Sequence, residues 1–346
     1  MKKMKKFLSL SVAAVLALSM TACGSKAGDT QNADATEKSS SNADATEKSS
    51  SNAKYTVGIC QLVQHEALDA ATKGFKDYLT EKLGDDVVFD EQNAQGDSAT
   101  CATIVNSFVS KNEDLILANA TAPLQSAAAA TTDIPILGTS VTDYATALDI
   151  SGWSGTTGRN ISGTSDLAPL SEQAAMLNEL FPDAKNVGLL YCSAEANSQY
   201  QIDVIKEELE KLNYTCTAYS FVDSNDIASV VQSAVNENDV LYVPTDNTAA
   251  SNTEVINNIA GEAGIPIIAG EAGICKGCGV ATLSISYYDL GYQTGKMAYE
   301  ILVNGADPST MEVEFAPAVT KQYNPDICEK LGITVPDDYE ALDMSE

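Results

Sequence analysis

The sequence predicts an α/β protein with two doubly wound, parallel-sheet lobes joined by more than one crossing of the chain. From Lys54 onward, short apolar strands alternate with amphipathic helical segments, a pattern typical of parallel sheets with right-handed crossovers. A segment rich in Gly, Ser and Thr, from Ser151 to Ser165, interrupts the alternation, which then restarts. The length of 346 residues also suits two domains.

The first lobe begins with a buried strand, Tyr55 to Cys60, followed by a helix, Glu66 to Leu83, whose apolar residues recur at helical spacing. The remaining predicted elements of this lobe are the strand 87–89, the helix 98–109, the strand 115–118, the helix 123–131 and the strand 134–137.

After the Gly, Ser and Thr segment, which we predict to be one of the crossings, the same alternation resumes. The predicted elements are the helix 170–180, the strand 187–191, the helix 198–212, the strand 214–219, the helix 226–235, the strand 240–243, the helix 252–262 and the strand 266–269. A strand at 280–285, a helix at 290–303 and a strand at 313–315 complete the pattern. The acidic residues toward Glu346 are predicted to form a solvated tail.

The first 53 residues are predicted to lie outside the fold. A lysine-rich start and a short apolar run precede Cys23, which follows small residues and resembles a bacterial lipobox. We therefore predict a signal peptide over residues 1–22 and lipidation at Cys23, with a plain signal peptide as the alternative. The unit NADATEKSSS occurs twice between Asn32 and Ser51, so residues 23–53 are predicted to be a disordered tether. The expected location is extracytoplasmic, lipid-anchored to the cell membrane.

The composition excludes several classes of function. Lys and Arg number 20 against 48 Asp and Glu, and the net charge of −28 excludes nucleic-acid binding through a basic surface. The single histidine, His65, excludes zinc sites with several imidazoles, and no G-x-S-x-G nucleophile elbow is present. Cys275 and Cys278 form one isolated C-x-x-C, compatible with either a disulfide or free thiols. We expect no metal, no cofactor and no enzymatic activity.

Short polar and acidic side chains follow most of the predicted strands in both lobes. Ligands of open parallel sheets bind outside the carboxyl ends of the strands, so these side chains would face each other across a cleft. Hydroxyls and helix N-termini suit a carboxylate, and acids suit an ammonium group, which together predict a receptor for an α-amino acid. The alternative is that they only form turns and helix caps. The candidate ligand-binding residues are Gln61, Thr121, Ser140, Thr142, Asn197, Asp246 and Glu271.

Six strings along the globular part carry a family resemblance: Val57–Asp69, Asn93–Asp97, Val141–Asp143, Ser193–Ser198, Val243–Asn247 and Tyr287–Gly295. In this order they resemble the tryptophan/tyrosine-type substrate-binding lipoproteins of bacterial ABC importers. Glu66 departs from the pattern, since the family usually has Pro there. The resemblance implies the type I periplasmic binding protein fold with a three-crossing hinge. Its lobes would comprise residues 54–161 with 283–316, and 162–282 with 317–346.

The resemblance also implies a function and partners. The ligand would be an amino acid, often aromatic, delivered to the permease and ATPase subunits of an ABC transporter by a monomeric receptor. By analogy with the branched-chain amino-acid receptors, Thr121, Ser140 and Thr142 would hold the ligand carboxylate. Glu271 and Asp246 would hold its ammonium group. Asn197 and Gln61 would be further hydrogen-bond partners.

Two alternatives remain open at this point. A receptor of the same fold could bind a nucleoside or a sugar, although sugar receptors usually place more aromatic residues in the cleft than a 6% aromatic content provides. A secreted α/β hydrolase is the other alternative, and the missing nucleophile elbow argues against it. The sequence leaves open whether His65, Tyr144 or Trp153 lines the cleft.

Overall fold

The computed structural model describes residues 53–316 and 318–345. The predicted signal peptide, the lipidation at Cys23 and nearly all of the predicted tether lie outside these residues. None of the described helices is both long and apolar enough to cross a membrane.

Strands and helices alternate along the described chain. Its first part contains β1 (Tyr55–Gln61), α1 (Glu66–Leu83), β2 (Val87–Asn93), α2 (Ser98–Lys111), β3 (Leu115–Asn119), α3 (Thr121–Ala130), β4 (Ile136–Val141), α4 (Tyr144–Ala147) and β5 (Ile161–Ser165). Its second part contains α5 (Leu170–Leu180), β6 (Asn186–Cys192), α6 (Ala196–Lys211), β7 (Thr215–Phe221), α7 (Ile227–Glu237), β8 (Val240–Val243), α8 (Asn247–Ala250), α9 (Thr253–Ala263), β9 (Ile267–Ala269), α10 (Ala272–Cys278), β10 (Ala281–Ser284), α11 (Tyr287–Asn304), β11 (Glu314–Phe315), β12 (Thr320–Tyr323), α12 (Pro325–Leu331) and β13 (Glu340–Ala341).

The strands form two sheets. The first has the order β11-β5-β4-β3-β1-β2, and the second has the order β13-β12-β10-β9-β8-β6-β7. All described pairings are parallel except β10 with β12. The chain therefore passes between the sheets three times, after β5, after β10 and after β11. The predicted fold class, two doubly wound lobes joined by three crossings, is confirmed.

Each sheet is buried on both faces, which explains the near-continuous apolar strands. In β1, Val57 and Ile59 pack into a core with Phe75 of α1, whereas Cys60 points into a core with Phe108 of α2 on the opposite face. The second sheet is covered in the same way by two further cores. We call the first sheet with α1 to α4 and α11 the first lobe, and the second sheet with α5 to α10 and α12 the second lobe.

Helix α11 follows the second crossing and packs very closely on α1. An added Cβ at Gly291 would lie 1.9 Å from the carbonyl oxygen of Ala71, and one at Gly74 would lie 2.1 Å from that of Tyr288. Only glycine permits this approach of the two backbones. Because α1 starts at the cleft and α11 starts at a crossing, this contact joins the cleft to the hinge.

The structure differs from the sequence prediction in three places. The segment Ser151–Ser165, predicted to be a crossing, ends in β5, so the chain crosses only after Ser165. The short helices α4, α8 and α10 were not predicted, since four to seven residues carry too little periodicity. The elements β12, α12 and β13, which complete the second sheet and its cover, were not predicted either. The acidic residues near the end of the described chain are exposed, as predicted for a solvated tail: Asp337, Asp338, Glu340 and Asp343. The lobe limits given above stay a prediction. Because β5 ends at Ser165, the end of the segment 54–161 would move beyond Ser165.

Candidate functional site

The carboxyl ends of strands from both lobes border one cleft. Its outer part is a cavity of about 410 Å³ whose walls come from both lobes, including Leu62, Val63 and Thr121 on one side and Glu195 and Asn197 on the other. Its inner part, of about 10 Å³, is the size of one water molecule. The inner cavity is lined by His65, Ala67, Leu68, Asp166, Thr245, Asp246, Asn247, Ala250, Glu271 and Tyr287.

The backbone is strained where β3 and β4 end at the cleft. Ala120 has φ 101° and Ser140 has φ 54°, values that residues with a Cβ rarely adopt. The Ser140 hydroxyl is buried and has no hydrogen-bond partner among the described residues. Strained backbone and an unpaired buried hydroxyl are both costly, and such features cluster at binding sites.

Asp166 is a buried acid at the hinge and is not among the site residues predicted from the sequence. It directly follows β5, and its Oδ2 accepts a hydrogen bond of 2.9 Å from the Tyr287 hydroxyl at the start of α11. Its Oδ1 is buried and is left without a partner in the described part of the chain. Burial raises the pKa of Asp166, against the hydrogen bond from the Tyr287 hydroxyl. Asp166 lines the inner cavity and therefore brings to its wall a residue with one unpartnered carboxylate oxygen.

The two acids predicted from the sequence, Asp246 and Glu271, lie at the same inner cavity but also cap helices. Glu271 accepts from the backbone N–H groups of Gly273 and Ile274 at the start of α10. Asp246 accepts from the N–H groups of Ala249, at 2.8 Å, and Cys192, at 2.6 Å. Burial raises the pKa of each acid to about 7, and the charge of Glu195 contributes to the shift at Asp246.

Polar contacts connect the lobes beside the inner cavity. His65 Nε2 of the first lobe lies 3.2 Å from Asn247 Oδ1 of the second. Asn247 Nδ2 in turn donates to Glu195 Oε2 at 2.7 Å, and Glu195 Oε1 accepts from the N–H and the hydroxyl of Thr248. Burial lowers the pKa of His65, against the hydrogen bond with Asn247 and the charge of Glu195. His65 of the first lobe therefore lines the inner cavity and contacts the second lobe.

The other predicted site residues lie around the cleft in different environments. Thr121 is the first residue of α3 and lines the outer cavity, as does Asn197, which donates to Glu195 and to the Thr245 carbonyl. Thr142 is buried and directly follows β4. Gln61 is engaged within its own lobe, where its amide donates to Asp69 and Val63 and accepts from Thr72.

The two aromatic candidates and the C-x-x-C lie away from the cleft cavities. Tyr144 is buried in the first lobe and donates to the Thr164 carbonyl at 3.2 Å. The ring of Trp153 stacks on Tyr144 with the centroids 6.5 Å apart and is 37% exposed. Cys275 and Cys278 are buried free thiols, which decides between the two alternatives for this pair.

A sequence profile described as ABC transporter substrate binding protein matches residues 56–343. The chain belongs to this family. Substrate-binding proteins of ABC transporters are extracytoplasmic and present a bound solute to a membrane permease, so the family is one of receptors. The tryptophan/tyrosine-type resemblance found in the sequence is confirmed at the level of this family and of the relatives described next.

Three relatives place the chain within the family. It is 39% identical over 305 residues to the tyrosine-binding protein of Clostridioides difficile (strain R20291), covering 87% of this chain and 85% of the relative. The ABC domain from Streptococcus pneumoniae in complex with L-Trp is 32% identical, with a TM-score of 0.79, over 82% of this chain and 97% of that one. A substrate binding protein with adhesive properties from Clostridium difficile, in a ligand-free, open structure, is 37% identical with a TM-score of 0.65. This match covers 84% of this chain and 100% of that one.

The two structural relatives rank in opposite order by sequence and by shape. The open structure is the more similar in sequence, at 37% against 32%, yet the L-Trp complex superposes better, at 0.79 against 0.65. This chain therefore superposes better on the L-Trp complex than on the ligand-free, open structure, although its sequence is more similar to the latter.

Proposed function

We propose that this protein binds an aromatic α-amino acid, tyrosine or tryptophan, between its lobes and delivers it to an ABC permease with its ATPase subunits. The names of two relatives, a tyrosine-binding protein and a domain in complex with L-Trp, support this ligand class. We further propose that the receptor acts as a monomer, held at the membrane by a lipid on Cys23 and a tether up to residue 53.

The observation that carries the proposal is the unpartnered Oδ1 of Asp166, a residue that lines the inner cavity. The burial of a carboxylate is costly unless a cation or donor satisfies it, and the ligand ammonium would do both. Glu271 lines the same cavity and adds negative charge, while its oxygens also hold α10. Asp246 is the third acid there. We propose Asp166 and Glu271 as the main ammonium partners, with Asp246 in a supporting role.

The strained edge of β3 and β4 is the proposed carboxylate site. Ser140 has a buried, unpaired hydroxyl, and Thr142 lies two residues further along. Thr121 begins α3, where free backbone N–H groups and the positive end of the helix dipole favour an anion. A zwitterion would thus be held by hydroxyls of the first lobe on one side and by buried acids on the other.

The outer cavity is the proposed site of the aromatic side chain. Its volume of about 410 Å³ falls within the range of small-molecule pockets. Apolar walls come from Leu62, Val63 and Val222, while Asn197 and Gln95 supply amides. This mixture suits a ring that also carries a polar group, such as a phenol or an indole. Gln61 would hold the segment that includes Val63 in place.

Thermal unfolding of the protein with each of the twenty amino acids, and with a few sugars and nucleosides, tests the proposal. A ligand at 100 times its dissociation constant stabilises the folded state by about 2.7 kcal/mol, which should raise the midpoint by several degrees. We expect a shift with Tyr or Trp and none with sugars. A shift with Leu or Val alone would keep the amino-acid receptor and discard the aromatic ligand. A shift only with a sugar or nucleoside would overturn the proposal.

A further inference from the structure

Lys276 of α10 forms an ion pair with the opposite lobe. Its Nζ lies 3.7 Å from Oε2 of Glu66, the first residue of α1. The other ion pairs of residues 53–316 and 318–345 each join two groups of the same lobe. The pair between Lys276 and Glu66 exists only while α1 and α10 lie together, so it depends on the separation of the lobes.

The packing of α10 fixes the direction of Lys276. Three buried side chains hold this helix on the core of the second lobe: Ile274, Cys275 and Cys278. A Cβ added at Gly277 would lie 2.2 Å from the hydroxyl oxygen of Thr253, so α10 also packs closely on α9. Lys276 is half-buried and donates to the carbonyl of Ser345, at 3.4 Å, in addition to its contact with Glu66. Its ammonium group is therefore held between the second lobe and the start of α1.

The first turn of α10 connects this ion pair to the inner cavity. Glu271 caps α10 and lines that cavity. A Cβ added at Gly273 would lie 3.1 Å from Glu271 Oε2 and 3.5 Å from the Cβ of Glu66. Burial raises the pKa of Glu271 to about 7, and the charge of Glu66 contributes in the same direction. Two acids from opposite lobes thus approach each other here, and the charge of Lys276 opposes their repulsion.

We propose that Lys276 is a positioning residue that holds the two lobes together over the bound ligand by pairing with Glu66. This inference rests on the proposed function, because it gives the pair a role in retaining the ligand of the same cleft. Neither residue lines the outer or the inner cavity. The pair therefore acts on the rate at which the lobes open and the ligand leaves. Because both side chains are partly exposed, salt should weaken this effect.

The two charges of the pair should not be equivalent. Without Lys276, the negative charges of Glu66 and Glu271 repel each other across the lobes. Without Glu66, that repulsion disappears together with the ion pair. We expect Lys276→Gln to release the ligand about fivefold faster than wild type, and Glu66→Gln less than about twofold faster. The double variant should match Glu66→Gln, because Lys276 then has no interlobe partner to lose. Lys276→Arg keeps the charge and should stay near the wild-type rate.

Stopped-flow release from the full chain measures these rates, with the amino acid that gives the largest shift in thermal unfolding. Wild-type release should become faster between about 0.02 M and about 0.5 M NaCl, whereas release from Lys276→Gln should not. Lys321→Gln is the matched control, since Lys321 pairs with Glu179 and Asp338 of its own lobe, and it should behave like wild type. Equal release from Lys276→Gln and wild type, or additive effects in the double variant, would overturn the proposal.

A second measurement does not depend on the class of ligand. A zero-length carbodiimide joins an amine to a carboxylate in contact with it, so in the full chain it should link Lys276 to Glu66. Mass spectrometry after proteolysis identifies the link, and the pair of Lys321 and Glu179, at 3.0 Å, is the positive control. A link to Glu66 without a thermal shift for any amino acid would support the ion pair and contradict the proposed function. If only the control pair is linked, with and without amino acids, the ion pair is contradicted.

Discussion

The two edges of the cleft differ in what their polar side chains contact. On the second lobe, Asp246 and Glu271 accept hydrogen bonds from backbone N–H groups and cap α8 and α10. At the edge of β4 and β5, Ser140 Oγ and Asp166 Oδ1 are buried with no partner among residues 53–316 and 318–345. Both edges carry polar residues directly after a strand. The two acids of the second lobe have partners, whereas Ser140 Oγ and Asp166 Oδ1 have none within the part of the chain that the structure describes.

This difference separates structural from ligand-binding roles. An acid that caps a helix stabilises the fold whether or not a ligand is present, whereas a buried unpartnered atom destabilises the free protein until something binds it. We therefore assign the larger share of ligand recognition to the edge of β4 and β5. The predictions below test this assignment, from the largest expected effect to the smallest.

Replacing Asp166 with Asn should have the largest effect. The substitution keeps the shape and the contact with Tyr287 but removes the negative charge that we pair with the ligand ammonium. Loss of one partner of a buried charge pair costs about 2–5 kcal/mol, so we expect tyrosine or tryptophan affinity to fall about 100-fold in calorimetric titration. Asp307→Asn, at an exposed turn, is the control and should bind normally. If Asp166→Asn binds within threefold of the wild-type affinity, the assignment of Asp166 to the ligand ammonium is contradicted.

Ser140→Ala separates ligand binding from stability. A hydrogen bond to a charged group is worth about 1.5–3 kcal/mol, so we expect about 20-fold weaker binding. The unfolding midpoint of the free protein should not fall, because the hydroxyl has no partner to lose within the described chain. A lower midpoint with unchanged affinity would show that Ser140 has only a structural role.

Glu271→Gln and Asp246→Asn compare the two capping acids. We expect about a tenfold loss of affinity for Glu271→Gln, since one charge of the acidic cavity is lost. Asp246→Asn should weaken binding less than about threefold, because the Asp246 oxygens accept hydrogen bonds from the backbone N–H groups of Ala249 and Cys192. Titration of both variants beside the wild type measures this order. Unchanged affinity in Glu271→Gln would remove Glu271 from the ammonium role.

Affinity should also depend on pH. The pKa values of Glu271 and Asp246 are raised to about 7, and an ammonium group requires ionised acids. If one such ionisation is needed, binding should be about tenfold weaker at pH 6 than at pH 8. The stability of the free protein should depend on pH in the opposite direction. The raised pKa values of the two acids contribute fully to the free energy of unfolding below about pH 4, and this contribution is lost as the pH rises through 7. Equal affinity at both pH values would contradict the acidic site.

The smallest effect is expected at His65. Its hydrogen bond to Asn247 joins the lobes, and a bond of this kind contributes about 1 kcal/mol. His65→Ala should therefore release the ligand about fivefold faster in stopped-flow measurements, while His65→Gln, which keeps a donor, should lie closer to wild type. An unchanged release rate in His65→Ala would show that this contact does not stabilise closure.

Much of the fold could be predicted from the sequence, because long amphipathic helices leave a clear periodicity. The limits of α1 and α5 are those predicted, and the order of the lobes follows from the restart of the alternation.

Asp166 was missed because β5 reads ISGTS, which lacks the apolar pattern of the other strands. A search for acids directly after short strands of small residues would have found it. Whether an acid caps a helix or binds a ligand depends on the positions of backbone N–H groups, which the sequence does not give.

The central claim is that the cleft holds both charged groups of a free amino acid. Calorimetric titration with L-tyrosine, with tyramine, which lacks the carboxylate, and with 3-(4-hydroxyphenyl)propionic acid, which lacks the ammonium group, tests it most directly. The account predicts tight binding of L-tyrosine and at least about a 100-fold loss for each analogue. Binding of either analogue as tightly as L-tyrosine would contradict it.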